Sequence, residues 1–321
     1  MTIATRVLGR TGAKVTILGY GAMELHGPGW GPAIDQEAGR LLNAVLDGGI
    51  NLIDTSIDYG RSEEHIGRYL AHRRDEYFLA SKCGCPLGHR VIRLGRRLMR
   101  RRRPHDWRPA NIRAGTEQSL RRLRTDRLDL LQVHMSPSRA QLAADETVQT
   151  LLSLRDAGKV RFIGMSGTLP NLADHIAMGV FDVFQIPYSA LQREHEELID
   201  AAAAAGAGTL IRGGVARGAP ARDKDWRHGP LGLPEGESQC RWQSSGVEDL
   251  LGDMSALEFV LRFTLSHPGL SSTIVGTSQM SHLRSNLEIA AKGPLPAELY
   301  EQAKHRLGAG SMKPGRVDPA S

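Results

Sequence analysis

Hydrophobic positions along this chain switch between two spacings. Short apolar runs of strand length are separated by stretches in which apolar residues recur every three to four positions, the helical period. Residues 6–15 read as a hairpin around Gly9-Arg10-Thr11-Gly12. Residues 15–19 read as the first core strand. It runs into Gly19-Tyr20-Gly21-Ala22-Met23, where small residues allow a close approach to the backbone. Residues 24–32 carry Gly, Pro, His26 and Trp30 and read as a loop. A helix over 35–47 follows, with Leu41, Leu42, Val45 and Leu46 on one face, and Gly48-Gly49 stops it.

From there the alternation is regular. Strands are predicted at 52–53, 77–80, 128–133, 160–165, 181–186, 209–211 and 273–275. Helices are predicted at 63–71, 111–123, 141–157, 171–178, 194–205, 255–266, 279–291 and 297–307. Two segments, 83–108 and 212–253, break the rhythm and read as long loops. The tail after Gly308 reads as disordered. Eight strands alternating with helices require a parallel sheet, and eight units predict a closed (β/α)8 TIM barrel, here one domain over 1–321. The rival is an open doubly wound sheet with a glycine-rich dinucleotide turn. The one candidate turn, Gly19-Tyr20-Gly21-Ala22-Met23-Glu24, lacks its third glycine.

Composition changes this picture little. The chain has 321 residues, 40% of them hydrophobic and 24% charged, as in an ordinary soluble domain. The net charge of +6 suits a phosphorylated cofactor as well as a nucleic acid. Much of the excess is local: nine arginines crowd residues 90–108 against the single acid Asp106. No aromatic ladder accompanies them, so a solvated surface segment is expected, with no nucleic-acid partner. The first residues carry no apolar segment, and no apolar run approaches bilayer length, so neither a secretory signal nor a membrane span is expected. Three cysteines argue against a disulfide framework, and Cys83 and Cys85 have no companion cluster of metal-ligand spacing. A reducing cytoplasm and no bound metal are the expectations.

The chemistry gathers at strand ends. The stretch Asn-Leu-Ile-Asp-Thr-Ser-Ile-Asp-Tyr-Gly at 51–60 delivers Asp54 from a strand and Tyr59 from the loop beyond it. Lys82 follows the next strand, then His134, Ser166, Gln185 and Arg212. In a barrel all of these would face one mouth. A lone polar residue at a strand end is usually a cap or a satisfied core group, but so many at equivalent ends imply a site. A free tyrosine has a pKa near 10, too high for efficient proton donation at neutral pH. An ammonium beside it stabilises the phenolate, and Asp54 can hold Lys82 charged and oriented. His134 can position a substrate oxygen. The set fits proton delivery to a carbonyl oxygen while hydride arrives at carbon, and since no side chain supplies hydride, a nicotinamide is implied.

The motifs N-L-I-D-T-S-I-D-Y-G, S-K-C, D-L-L-Q-V-H, G-M-S-G and I-V-G-T-S-Q-M-S-H-L-R-S-N-L resemble those of the aldo-keto reductase family over nearly the whole chain. That resemblance implies a β/α barrel reducing aldehydes and ketones with NADPH, NADH being possible, and needing no metal. It makes Tyr59 the general acid/base, tuned by Asp54 and Lys82, with His134 orienting the carbonyl. Ser166 and Gln185 match positions that hold the carboxamide. Gly276, Thr277, Gln279, His282 and Asn286 match the adenosine-phosphate site, where a helix N-terminus offers N–H groups to phosphate. Gly21, Ala22, Met23, Gly167, Arg212 and Gly214 complete the expected cofactor contacts. Three positions depart from the pattern. Gly167 stands where many members have Asn, Arg212 stands near a usual aromatic, and His282 stands where NADPH-preferring members often carry Arg. Met23, Trp30, Tyr59, His134 and Trp107 are the candidate substrate contacts.

Two other enzyme patterns are weaker. Tyr300 to Lys304 matches the Y-x-x-x-K of short-chain dehydrogenases but lies in the last helix with no glycine-rich turn ahead of it. A metal-dependent barrel hydrolase would need several His or Asp at strand ends, and His134 is the one His so placed. The rival from another class is a nicotinamide-binding regulatory subunit on the same scaffold, resembling the auxiliary subunits of potassium channels.

Overall fold

The N-terminal apolar pattern builds a plug before it builds the barrel. In the computed structural model, which describes residues 2–26, 32–87, 89–94, 97–102, 105–216 and 237–308, β1 (Thr5–Val7) pairs antiparallel with β2 (Lys14–Thr16). Val15 therefore belongs to the hairpin, where it faces Arg6 across the ladder. The first barrel strand is β3 (Leu18–Gly21), three residues later than the pattern 15–19 suggested. Leu8 and Val15 are fully buried and pack with Leu52, Phe78, Ala80, Leu130, Val183 and Leu210, forming the floor of the barrel interior. The Arg6 guanidinium fastens this plug from outside by donating to the carbonyls of Leu265 (3.1 Å), His267 (3.3 Å) and Leu270 (2.6 Å).

The alternation continues with α1 (Pro32–Asp47), β4 (Leu52–Asp54), α2 (Ser62–Leu70) and β5 (Phe78–Cys83). Segment 83–108 is partly regular. β6 (His89–Leu94) and β7 (Arg97–Arg102) form an antiparallel ladder outside the barrel, where the sequence predicts a long loop. The signal was there to read: Val91, Ile92 and Leu94 precede Gly95-Arg96, and Leu98 and Met99 follow, which is hairpin spacing hidden by the arginine count. Then come α3 (Pro109–Leu123), β8 (Leu128–Val133), α4 (Arg139–Ala144) and α5 (Thr147–Asp156). Residues 141–157 are thus two helices and not one. Glu146 breaks them with φ +51°, and buried Thr147 donates from Oγ1 to the carbonyl of Trp107 at 3.1 Å. A tertiary contact overrides the helical period there.

The remainder is β9 (Val160–Ser166), α6 (Leu172–Ala177), β10 (Val183–Pro187), α7 (Glu196–Ala204), β11 (Gly208–Arg212), α8 (Glu237–Ser244), α9 (Ala256–Leu265), β12 (Ser272–Val275), α10 (Met280–Ala291) and α11 (Ala297–Arg306). Segment 212–253 is not all loop: it contains α8 and a 3-10 turn at Val247–Leu250, and residues 217–236 lie outside the described residues. The tail after Gly308, expected to be disordered, and Trp30 also lie outside them. Among the described residues no helix is long and apolar enough to cross a membrane.

The strands β3, β4, β5, β8, β9, β10, β11 and β12 pair in parallel and close into a barrel through β12 and β3. Each strand is buried on both faces, and successive side chains alternate between them. Leu52, Phe78, Ala80, Leu130, Val183 and Leu210 point inward, while Ile53, Leu79, Leu131, Ile186 and Ile211 join the shell between barrel and helices. One more step of two along each strand carries the inward face past the apolar floor to its carboxyl end. That step reaches Asp54, Lys82, Gln132, Gln185 and Arg212.

Candidate active site

The inward ends of the strands assemble a buried ion pair. Asp54 and Lys82 are each 2% exposed. Lys82 Nζ donates to Asp54 Oδ1 at 2.5 Å and to the Thr55 carbonyl at 3.0 Å. The other carboxylate oxygen, Oδ2, accepts from Gln132 Nε2 at 2.9 Å and from Gln185 Nε2 at 2.8 Å. A buried charge is tolerated when paired and hydrogen-bonded in this way. Burial alone would lower the Lys82 pKa, but the Asp54 carboxylate and Tyr59 outweigh it, and the ammonium is held above its ordinary value.

Gln132 is absent from the sequence reading. Its signal was positional: β8 pairs Lys82 with Gln132, and Gln132 lies two residues beyond inward Leu130. The amide holds Asp54 Oδ2 while Lys82 holds Oδ1, which restrains the carboxylate from rotating away from the ammonium.

Tyr59 sits on the loop after β4. Its backbone N–H donates to the Ser56 carbonyl at 3.0 Å, and its carbonyl accepts from Ser62 at the start of α2 at 2.9 Å. The ring lies under the Lys82 ammonium, with Nζ 4.9 Å from its centroid. Burial raises the phenol pKa, the Lys82 ammonium opposes this, and Asp54 and Asp58 add to it, leaving a net rise. His134 stands across from Tyr59, edge to face, with centroids 6.4 Å apart. Its backbone N–H donates to the Cys83 carbonyl at 3.0 Å and so continues the β5–β8 ladder by one residue. Burial first, then Lys82, His105 and Arg212, push the imidazole down to about 3 against the pull of Asp58, so the ring is neutral. Cys85 Sγ lies 3.0 Å from His134 Nδ1. Burial pushes that thiol up, so it is protonated, and in the tautomer that carries the ring's proton on Nε2 it donates to Nδ1. Cys85, too, is absent from the expected site residues: the sequence shows it only as a cysteine with no companion cluster of metal-ligand spacing.

The expected cofactor residues occupy one arc of the mouth. Ser166 Oγ donates to Gln185 Oε1 at 3.2 Å, so the two amide-binding candidates touch each other. Gly167 leaves room that Leu172 uses: a Cβ there would meet Leu172 Cδ1 at 2.7 Å. Arg212 ends β11, and Gly214 is buried against Thr273, whose Oγ1 a Cβ would meet at 2.3 Å. Gly21 and Gly276 approach each other where β3 and β12 end, next to buried Ala22 and exposed Met23. Tyr20 Oη donates to the Thr277 carbonyl at 2.7 Å and anchors the loop before α10. That helix starts at Gln279 with no side-chain cap and no acid in its first turn, a setting for an anion. His282 is exposed in that turn and Asn286 is buried one turn later. Trp107 reaches the site from the other side. Its Nε1 donates to the His134 carbonyl at 3.0 Å, and it fills the space beside Gly84 (φ +84°), where a Cβ would meet its ring at 2.3 Å.

A Cβ on Gly276 would meet the Gly21 carbonyl oxygen at 2.8 Å, backbone against backbone. Gly276→Ala is therefore expected to cost about 1–3 kcal/mol, the range for an added methyl that its surroundings cannot absorb. A denaturant midpoint equal to that of the native chain would contradict this close approach.

The Y-x-x-x-K pair of the last helix is accounted for by packing. Tyr300 Oη meets Tyr188 Oη at 3.1 Å, its ring tilts against Phe263 (4.9 Å), and Lys304 Nζ lies 4.9 Å over it.

Known proteins resemble the chain throughout its length. L-galactose dehydrogenase of Arabidopsis thaliana is 28% identical over 304 residues, covering 89% of this chain and 87% of that protein. D-threo-aldose 1-dehydrogenase of a Pseudomonas species is 29% identical over 326 residues, covering 92% and 95%. The solved structure of aldo-keto reductase AKR11C1 from Bacillus halodurans, in its holo form, superposes with a TM-score of 0.79 at 26% identity, covering 98% of this chain and 99% of that one. The sequence pattern of the Aldo/keto reductase family matches residues 17–305. With that match spanning the barrel from β3 to the last helix, this chain belongs to the aldo/keto reductase family, oxidoreductases that act on aldehydes and sugars with a nicotinamide cofactor.

Proposed function

We propose that the protein reduces an aldehyde or ketone to the alcohol, or runs the reverse, with Tyr59 as the general acid/base. One observation carries this reading: the Lys82 ammonium is buried between the Asp54 carboxylate and the Tyr59 ring. A buried lysine held charged in contact with a phenol lowers the cost of forming phenolate, which is what a tyrosine acid needs. His134 is neutral and donates from Nε2 to the substrate oxygen, and Cys85 keeps that tautomer in place. Tyr59 then releases its proton to the same oxygen as negative charge develops there. Gln132 and Gln185 hold Asp54 against Lys82 throughout. The nicotinamide, when bound, supplies the hydride.

The cofactor is held in this reading by Ser166, Gln185, Arg212 and Gly214 at its reactive end. Gly276, Thr277, Gln279, His282 and Asn286 hold its phosphates. The uncapped start of α10 and the bare backbones of Gly21 and Gly276 support that fit. NADPH is the proposed cofactor, with NADH as the runner-up because His282 carries less fixed charge than an arginine.

Titration of the full chain with NADPH and with NADH, followed by nicotinamide fluorescence, tests the choice. His282→Arg is expected to favour NADPH over NADH by about 5- to 50-fold relative to the native chain, the worth of one charge-assisted contact to a phosphate. An unchanged ratio would remove His282 from the phosphate site. Tight binding with no turnover on any carbonyl would point to the regulatory-subunit reading.

A further inference from the structure

Next to the proposed proton path, four side chains converge that the reaction does not need together. Asp58, Cys85, His105 and His134 each offer one donor atom, and these atoms all lie within 4.8 Å of one another. They arrive from four loops at the same mouth: after β4, after β5, before α3 and after β8. Four first-row donors around a zinc ion, with metal–nitrogen and metal–oxygen distances of about 2.0–2.1 Å and metal–sulfur of about 2.3 Å, stand roughly 3.3–3.8 Å apart. The Cys85 Sγ to His134 Nδ1 edge is already 3.0 Å. The longest edge exceeds the tetrahedral value by only about 1 Å, so shifts of a fraction of an ångström per donor would close the set.

The donors are also held from behind. Asp58 Oδ1 accepts from Ser56 Oγ at 2.6 Å. His105 stacks on Trp107 with centroids 5.9 Å apart, and Trp107 in turn grips the His134 carbonyl. Asn111 Nδ2 donates to the Cys85 carbonyl (3.1 Å) and to the Asp106 carbonyl (2.7 Å), tying the Cys85 loop to the one carrying His105. Outer hydrogen bonds of this kind orient the ligands of metal sites.

We propose that Asp58, Cys85, His105 and His134 bind one divalent transition-metal cation of the zinc class, and that its binding silences carbonyl reduction. Two imidazoles, a thiolate and a carboxylate select zinc-like ions over magnesium or calcium. On binding, the Cys85 thiol loses its proton to solvent and its sulfur forms the bond to the metal. Four protein ligands complete a tetrahedron, as in structural and unlike catalytic zinc sites, so the ion keeps no open position from which to polarise a substrate oxygen in place of His134. Closing the set also shifts the His134 ring, bound through Nδ1, and with it the Nε2–H that would orient the carbonyl. The silencing rests on the reductase reading, whereas the binding does not.

Cobalt(II) titration of the full-length chain is the probe, because a thiolate-bound cobalt has a charge-transfer band independent of turnover. One cobalt per chain is expected, with a band that Cys85→Ser abolishes. His105→Ala is expected to bind cobalt about 10- to 100-fold more weakly, while retaining basal reduction. Zinc is expected to displace cobalt and to inhibit reduction competitively with the carbonyl, with His105→Ala desensitised by a similar factor. Circular dichroism of both variants establishes that they fold, and His105→Ala decides the matter if Cys85→Ser does not. Absence of the band in the native chain, or its survival in Cys85→Ser, overturns the site. Zinc bound there with reduction unaffected overturns the silencing. A chain that binds cobalt as described but reduces no carbonyl keeps the site and fails the reductase reading instead.

Discussion

Tyr59→Phe is expected to lower kcat for carbonyl reduction by about 10²- to 10⁴-fold, the range that one positioned acid contributes. The cofactor dissociation constant should move by less than about threefold, because an interaction made only in the transition state is being removed. The variant is conservative. The ring keeps its place under Lys82 and opposite His134, and only the hydroxyl goes. The pH dependence of the native chain reports the same group. Reduction needs the phenol protonated, so kcat/KM is level below its pKa and falls about tenfold per pH unit above it. Oxidation of the alcohol needs phenolate and shows the mirror image. The hydroxyl is raised by burial and only partly relieved by Lys82, so the reductive plateau extends through neutral pH. A Tyr59→Phe enzyme with native kcat would remove the assigned acid.

The second large effect falls on Lys82. Lys82→Met leaves the Asp54 carboxylate 2% exposed, with only the Gln132 and Gln185 amides to satisfy it. Breaking a buried pair by removing one partner costs about 3–5 kcal/mol. It also removes the charge that opposes the rise in the phenol pKa, so reduction should fall together with stability. A structural and a catalytic role are separated by the double variant Asp54→Asn with Lys82→Met. Replacing both charges is often near neutral, so most of the lost stability should return. Activity should not, because no ammonium remains beside Tyr59. Activity that returned with stability would mean that the pair only holds the barrel together.

The elements carrying the strongest period were legible from sequence. β8 was read residue for residue, and seven of the eight barrel strands were placed within two residues at their amino-terminal ends, because runs buried on both faces read as near-continuous apolar stretches too short for a helix and bounded by helical periods. The convergence of Asp54, Lys82 and His134 followed from strand ends alone. Val15 was given to the barrel because hairpin and barrel strands are both short apolar runs, and only pairing separates them. The β6–β7 ladder was hidden by charge, and the break between α4 and α5 by a contact from Thr147 to Trp107 that no local pattern contains. At the site, Gln132 could have been found by counting two from Leu130. Cys85 and His105 could not, since what makes them neighbours of His134 is the packing of loops around Trp107.

The most direct measurement follows the hydride itself. The full chain is incubated with reduced nicotinamide cofactor in which both C4 hydrogens are deuterium and with an aldehyde, and the product is analysed by mass spectrometry. The account predicts an alcohol with deuterium on the carbinol carbon, formed at a rate that collapses in Tyr59→Phe. Alcohol without the label, or no alcohol from any aldehyde or ketone despite bound cofactor, would contradict it.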